Sequence, residues 1–178
     1  MTSPISDADR ALLTGLIRAV PDFPQPGVMF RDITPLLADP TAFGRAVELM
    51  VDGYGGIDRV VAIESRGFIL GAPVALAMHA GLVPVRKVGR LPANTIHEDY
   101  SLEYGVNTLE IHADSIMAGD RVLIVDDVLA TGGTVRAASN LVSRLGGTVI
   151  GVSLLIELAF LNGRAKLTDL DVRSVLVY

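Results

Sequence analysis

The chain has 178 residues, enough for one domain with a full hydrophobic core. Half of the residues are hydrophobic and only 5% are aromatic, the aliphatic balance expected when strands are buried on both faces and covered by helices. A formal net charge of -5 argues against broad nucleic-acid binding, and the lack of cysteine excludes a disulfide framework and thiolate chemistry.

The opening MTSPISDADR has no basic region followed by an apolar run, so no secretory signal is expected and a cytoplasmic location is. Residues 6–20 read as an amphipathic helix, with Ser6 as its cap and Asp7 and Asp9 in the first turn, where negative charge is favourable. Residues 21–35 are rich in Pro and should form an irregular or short extended hood. Residues 40–51 read as a second helix, and residues 59–63 as a short apolar strand ending in Glu64-Ser65-Arg66-Gly67.

Residues 68–85, FILGAPVALAMHAGLVPV, have membrane-like length and no Lys, Arg, Asp or Glu. Gly71, Pro73, Gly81 and Pro84 interrupt the run and His79 lies inside it, so it reads as a buried helix to about residue 79, a turn and a strand at 82–85. Residues 86–105 are polar and should include a mobile loop. Strands follow at 107–112, 121–125, 148–156 and 172–177, and helices at 134–145 and 158–166. This alternation predicts an α/β fold, a mostly parallel sheet with helices on both faces, in a single domain over residues 1–178.

The most informative string is VLIVDDVLATGGT, residues 122–134. It runs from a buried strand through two acids, Asp126 and Asp127, into the turn Ala130-Thr131-Gly132-Gly133-Thr134 and a helix start. In an open parallel sheet, ligands bind at that end of a strand. Glycines let backbone amides approach an anion, and the helix N-terminus adds donors and partial positive charge. Thr131 and Thr134 add hydroxyls, so the turn suits a phosphate monoester. The acids suit ribose hydroxyls or a hydrated magnesium ion.

Three further stretches carry chemistry. Glu64-Ser65-Arg66-Gly67 stands at another strand end, where it could face the same ligand or serve as a helix cap through Ser65. Arg86-Lys87-Val88-Gly89-Arg90 is the densest basic cluster, either a solvated face or a means of neutralising a pyrophosphate. Residues 91–105, LPANTIHEDYSLEYG, form a long polar connection that suits a functional lid, with a hairpin of 95–100 against 107–112 as its possible stem. In the hood, FPQPGVMFRDITP, residues 23–35, offers backbone groups and the apolar walls Val28, Met29 and Phe30, which suit a flat heterocycle.

The acid-and-glycine string resembles the ribose-phosphate motif of the type I phosphoribosyltransferases. The hood and the Ser101-Leu102-Glu103-Tyr104-Gly105 segment resemble those of the adenine phosphoribosyltransferases, and the likeness extends to Glu157-Leu158 and to residues 161–167. The resemblance implies the type I fold, with a hood at about 21–35 and a catalytic lid at about 90–105. It implies formation of AMP and pyrophosphate from adenine and 5-phosphoribosyl-1-pyrophosphate (PRPP), with Mg2+ held mainly by PRPP and water. The turn from Ala130 to Thr134 would then hold the 5-phosphate, and Asp126 and Asp127 the ribose hydroxyls. Ser65, Arg66 and Gly67 would bind pyrophosphate, through a cis peptide between Ser65 and Arg66, together with Arg86, Lys87 and Arg90. Met29 and Arg31 would offer main-chain contacts to adenine, with Val28 and Phe30 beside the ring. Glu103 would be the general base and Tyr104 would pack over the closed site, with His97 and Glu98 as weaker catalytic candidates. A homodimer is expected, with neither a nucleic-acid nor a membrane partner. Two alternatives stand beside this reading: transfer to another purine base, or a non-catalytic nucleotide-sensing regulator on the same fold. The Lys that guanine- and hypoxanthine-using relatives offer to the 6-oxo group is not found, nor is a basic RNA-binding face.

Overall fold

The computed structural model describes residues 5–101 and 106–178. Its elements in chain order are α1 (Asp7–Gly15), β1 (Arg18–Val20), β2 (Phe30–Asp32), α2 (Thr34–Ala38), α3 (Pro40–Val51), β3 (Arg59–Ile63), α4 (Arg66–Ala77) and β4 (Gly81–Lys87). There follow β5 (Thr95–Ser101), β6 (Val106–His112), β7 (Arg121–Leu129), α5 (Gly133–Arg144), β8 (Thr148–Glu157), two 3-10 turns (Ala159–Leu161 and Gly163–Lys166) and β9 (Val172–Val177).

Seven strands form one sheet in the order β5-β6-β4-β3-β7-β8-β9. Strands β4, β3, β7, β8 and β9 pair in parallel, while the β5–β6 hairpin is antiparallel and joins the edge of β4. The chain leaves β3 in one direction, through α4 to β4, and leaves β7 in the other, through α5 to β8. Strand order therefore reverses between β3 and β7, the place where an open α/β sheet forms its ligand crevice.

Strand side chains alternate between two cores. Val61, Ile63, Val122 and Ile124 face a cluster completed by α5, through Val135, Ala138, Leu141 and Val142. Val60, Leu123 and Val125 face the other cluster, with Leu36, Ala46, Met50, Leu70 and Val74. Both faces are covered, which is why these strands read as unbroken apolar runs. The apolar stretch 68–85 becomes most of α4, a turn and part of β4, as expected, and no helix among the described residues is long and apolar enough to cross a membrane.

Several boundaries differ from expectation. The first helix ends at Gly15, not at residue 20. Glycine is a poor helix interior residue, and the following residues pair instead with the hood, Arg18 opposite Asp32 and Val20 opposite Phe30. The short helix α2 was not expected. Strand β7 runs on through the acids to Leu129, because β8 pairs along that length, Asp126 with Leu154 and Val128 with Ile156. The helix expected over 158–166 is two 3-10 turns hinged at Asn162, whose φ is 51°.

Candidate active site

The ends of β3 and β7 frame a cavity of about 440 Å³. Glu64, Ser65 and Arg66 line one wall, Asp126 to Gly132 and Thr134 the other, and Lys87, Tyr100 and Leu109 close the side toward the hairpin. The structure thus brings together Ser65, Arg66, Lys87, Asp126, Asp127, Ala130, Thr131, Gly132 and Thr134 from distant parts of the sequence. Gly67, Gly133, Arg86 and Arg90 stand just outside this lining, as does the hood.

The turn from Ala130 to Thr134 is shaped by backbone approach. Gly132 caps α5 with φ 77°, and a Cβ there would stand 2.5 Å from the Gly163 carbonyl oxygen. Gly163 in turn packs against the Ala130 carbonyl, leaving no room for a side chain. The two glycines let the 3-10 segment back the turn directly. The Asn162-Gly163 pair is a turn signal in the sequence, but its partner across the fold was not legible.

Asp126 and Asp127 are buried, 8% and 4% exposed. Burial pushes both carboxyls above the ordinary range, and the neighbouring Asp127 charge pushes Asp126 further. The Asp127 N–H donates to Asp126 Oδ1 at 2.8 Å. Arg66 Nε lies 3.0 Å from Asp127 Oδ2 and lowers that carboxyl in part, but without hydrogen-bond geometry, so the buried Oδ2 has no hydrogen-bond partner. An oxygen so placed is an acceptor prepared for a hydroxyl or a hydrated cation.

Gly67 keeps α4 close to β7: a Cβ there would meet Asp126 Oδ1 at 2.8 Å. Ser65 makes no side-chain cap hydrogen bond, so the plain capping role does not apply. The Ser65–Arg66 peptide is not cis, as the resemblance implied; the unusual conformation lies instead in Ser65 itself, φ 80° and ψ -114°. A non-glycine residue held there costs about 1–3 kcal/mol, and such strain concentrates at functional sites.

The basic cluster is partly engaged. Arg86 Nε donates to Glu64 Oε2 at 2.8 Å and Arg86 Nη1 to the Arg90 carbonyl at 3.0 Å. Glu110, 3% exposed, accepts from Arg90 N, Leu91 N and Thr95 Oγ1 and so organises the loop after β4. Burial alone would raise this carboxyl, but those donors together with Gly89 N–H bring it below its ordinary value. Sequence reading placed Glu64 in a candidate stretch without its Arg86 partner and missed Glu110, since one acid inside a strand looks unremarkable.

Glu98 is not placed for catalysis. Its carboxylate accepts from Asn140 Nδ2 and Arg144 Nη1, both at 2.9 Å, and Arg144 Nη1 also reaches the His97 carbonyl at 2.6 Å. These bonds fasten the hairpin to α5. The expected base Glu103 and lid residue Tyr104 lie outside the described residues.

The hood reaches the cavity through Arg66. Its guanidinium sits 4.8 Å from the Phe30 ring centre, and its Nη1 is 3.4 Å from the Arg31 carbonyl. Phe23 meets Phe30 edge-on at 5.0 Å, and Met29 is 45% exposed, so an apolar surface stands open next to the crevice.

This arrangement has relatives. Residues 46–174 match the phosphoribosyl transferase domain family. An adenine phosphoribosyltransferase of Thermobifida fusca is 55% identical over 166 residues, covering 92% of this chain and 94% of that protein. The crystal structure of adenine phosphoribosyltransferase from Rhodothermus marinus superposes with a TM-score of 0.94 at 49% identity, covering 97% of this chain and all of the other. The Saccharomyces cerevisiae enzyme, complexed with an imino-altritol bisphosphate and adenine, gives 0.90 at 37% identity over 96% of this chain and 100% of its own. By this family match, sequence identity and superposition, the chain belongs to the phosphoribosyltransferase family, among the adenine phosphoribosyltransferases.

Proposed function

We propose that the protein transfers the phosphoribosyl group of PRPP to adenine, giving AMP and pyrophosphate. The observation that carries this reading is the single crevice joining a phosphate turn, a buried acid pair with an unpartnered oxygen, and Arg66 bridging to an apolar hood. Ala130 to Thr134 hold the 5-phosphate, remote from the bond that breaks, and so fix the reacting geometry. Asp126 and Asp127 accept from the ribose hydroxyls and place negative charge beside the oxocarbenium-like carbon. Ser65, Arg66, Gly67, Lys87 and the Arg86 and Arg90 loop receive the pyrophosphate. Val28, Met29, Phe30 and Arg31 receive adenine, and Glu103 takes the proton from its imidazole ring as the other ring nitrogen attacks.

Among the described residues no three His, Cys, Asp or Glu converge as a metal cage. A magnesium ion brought by PRPP fits the residues present, since Mg2+ is commonly held by one or two carboxylates, substrate phosphates and water. Asp126 and Asp127 would hold it through water, and it would supply charge neutralisation to the departing pyrophosphate. We take the protein as cytoplasmic and homodimeric; light scattering on the eluting protein tests the latter, with a monomer mass as the contrary result.

The test of function is incubation with PRPP, magnesium and each purine base, with nucleotide detection. AMP from adenine, far faster than nucleotide from guanine or hypoxanthine, is the expected result. Preference for another base would favour the neighbouring activity, and no nucleotide from any base would favour a regulator.

A further inference from the structure

The hood is held from behind by a contact that the reaction does not use. Arg31 places its guanidinium 4.1 Å from the centre of the Tyr178 ring. Tyr178 is stitched to the sheet: its N–H donates to the Glu157 carbonyl at 2.8 Å, and its own carbonyl accepts from Ala159 N at 2.9 Å. Glu157 is gripped by two bonds from Arg164, each 2.7 Å, and one from Ser174 Oγ at 2.7 Å. The half-buried ring packs on the core that contains α3 and α4. It is therefore a fixed object, at the same end of β8 as the phosphate turn, where Leu158 N bonds the Leu129 carbonyl at 2.9 Å.

The hood needs a fixed object. It is a two-stranded sheet with three residues in each strand, marginal by itself. Ile33 and Leu36 bury the chain after β2, but no residue within β1 or β2 is fully buried. Asp32 meets Arg18 only across 3.8 Å, with Arg18 largely exposed. Arg66 touches β2 from the crevice side, but it is also drawn to Asp127 and lines the crevice. Tyr178 contacts β2 through Arg31 and does not line the crevice.

We propose that Tyr178 is a positioning residue for the purine base. Stacked on Arg31, it fixes the β2 main chain that presents hydrogen-bonding groups to the base edge. It touches neither substrate, and its role rests on the reaction proposed above.

Its signature is a split between the two substrates. Tyr178→Leu keeps bulk and loses the ring; it should raise KM for adenine about 3- to 30-fold, the range of a lost cation–π contact. KM for PRPP, and kcat at saturating adenine, should stay within about 2-fold, as for loss of uniform binding. Tyr178→Phe keeps the ring face and should restore the wild-type adenine KM. Arg31→Leu removes the same contact from the other side, and combining it with Tyr178→Leu should add nothing further. Tyr178→Met, which keeps apolar bulk without the ring, carries the same expectation if Tyr178→Leu does not fold. An unchanged adenine KM in the Leu variants, equal rises in both KM values, or failure of Phe to rescue would overturn the proposal. Wild-type protein that makes no AMP at all would instead remove the reaction on which it rests.

Discussion

Replacing Asp126 by Asn should make the empty protein more stable and the enzyme worse. Asn has nearly the same shape and keeps the Oδ1 that accepts from Asp127 N–H. What it removes is a buried carboxyl whose ionised form is penalised first by desolvation and then by Asp127, with Arg66 only partly opposing them. Relief of a buried, poorly compensated polar group is worth about 1–3 kcal/mol. At about 2–4 °C per kcal/mol for a chain of this size, the melting temperature should rise by roughly 2–12 °C near pH 8. The sign with pH follows from the raised value. Well below pH 4 the carboxyl is protonated whether the chain is folded or unfolded, and it costs nothing. As pH rises toward the folded-state value, the unfolded chain releases its proton first, so wild-type stability falls and levels off above that value. Asn has no such loss, so the gap between variant and wild type should widen from pH 4 to pH 8. Thermal melts of both proteins without ligand measure it. In assays, kcat/KM for PRPP should drop by about 10- to 100-fold, the loss of charge-assisted hydrogen bonds, with adenine KM little changed. A variant no more stable than wild type at pH 8, or a gap independent of pH, would refute the claim that the site, without PRPP and magnesium, holds this carboxyl against ionisation.

Three other changes test neighbouring parts of the site. Glu103→Gln should lower single-turnover rates by about 10²- to 10⁴-fold with substrate affinities nearly kept, and near-normal rates across pH would remove Glu103 as the base. Gly163→Ala drives a methyl into the Ala130 carbonyl; it should cost about 1–3 kcal/mol in urea unfolding and raise KM for PRPP more than for adenine. Glu98→Ala and Arg144→Ala should each cost about 1 kcal/mol by the same method, and the double variant less than their sum, since they share one contact while Glu98 also accepts from Asn140 and Arg144 also reaches the His97 carbonyl.

Where periodicity and punctuation agreed, the sequence predicted the fold closely. Helix α3 begins at Pro40 behind Asp39, whose carboxylate caps Thr41 and Ala42, β3 is mainly an apolar run, and β9 is a mixed, β-branched-rich run, both bounded by polar turns. Their limits coincide with those expected. Helix α1 was overextended because the pull on Arg18–Val20 comes from β2, a partner many residues away. Strand β7 was cut short because two acids look like a loop; only the sheet shows that they project from a paired strand into the crevice. Composition could rank residues but not engagement: Arg86 and Lys87 stand side by side, yet Arg86 is bound to Glu64 while Lys87 lines the cavity. Glu98 and Gly163 were misjudged or passed over for the same reason, since their partners, Arg144 and Ala130, are fixed by tertiary contact alone.

The crevice holds two ion pairs that a ligand must exchange. Arg66 stands beside Asp127, and Arg86 beside Glu64. Such pairs avoid isolated charge in a partly buried site, where an uncompensated ion is costly. On the proposed reading, a free phosphate satisfies the turn and draws on the cations, but leaves the acids without donors. Adenine alone covers the hood and touches neither. PRPP brings phosphates for the turn and the cations, together with hydroxyls for the acids. Only a ligand carrying both kinds of group, at the spacing between the turn and Asp127, repays the exchange at every position. Selectivity then arises from the cost of partial occupancy as much as from any single contact, as expected where buried polar groups reject ligands that leave them unpaired.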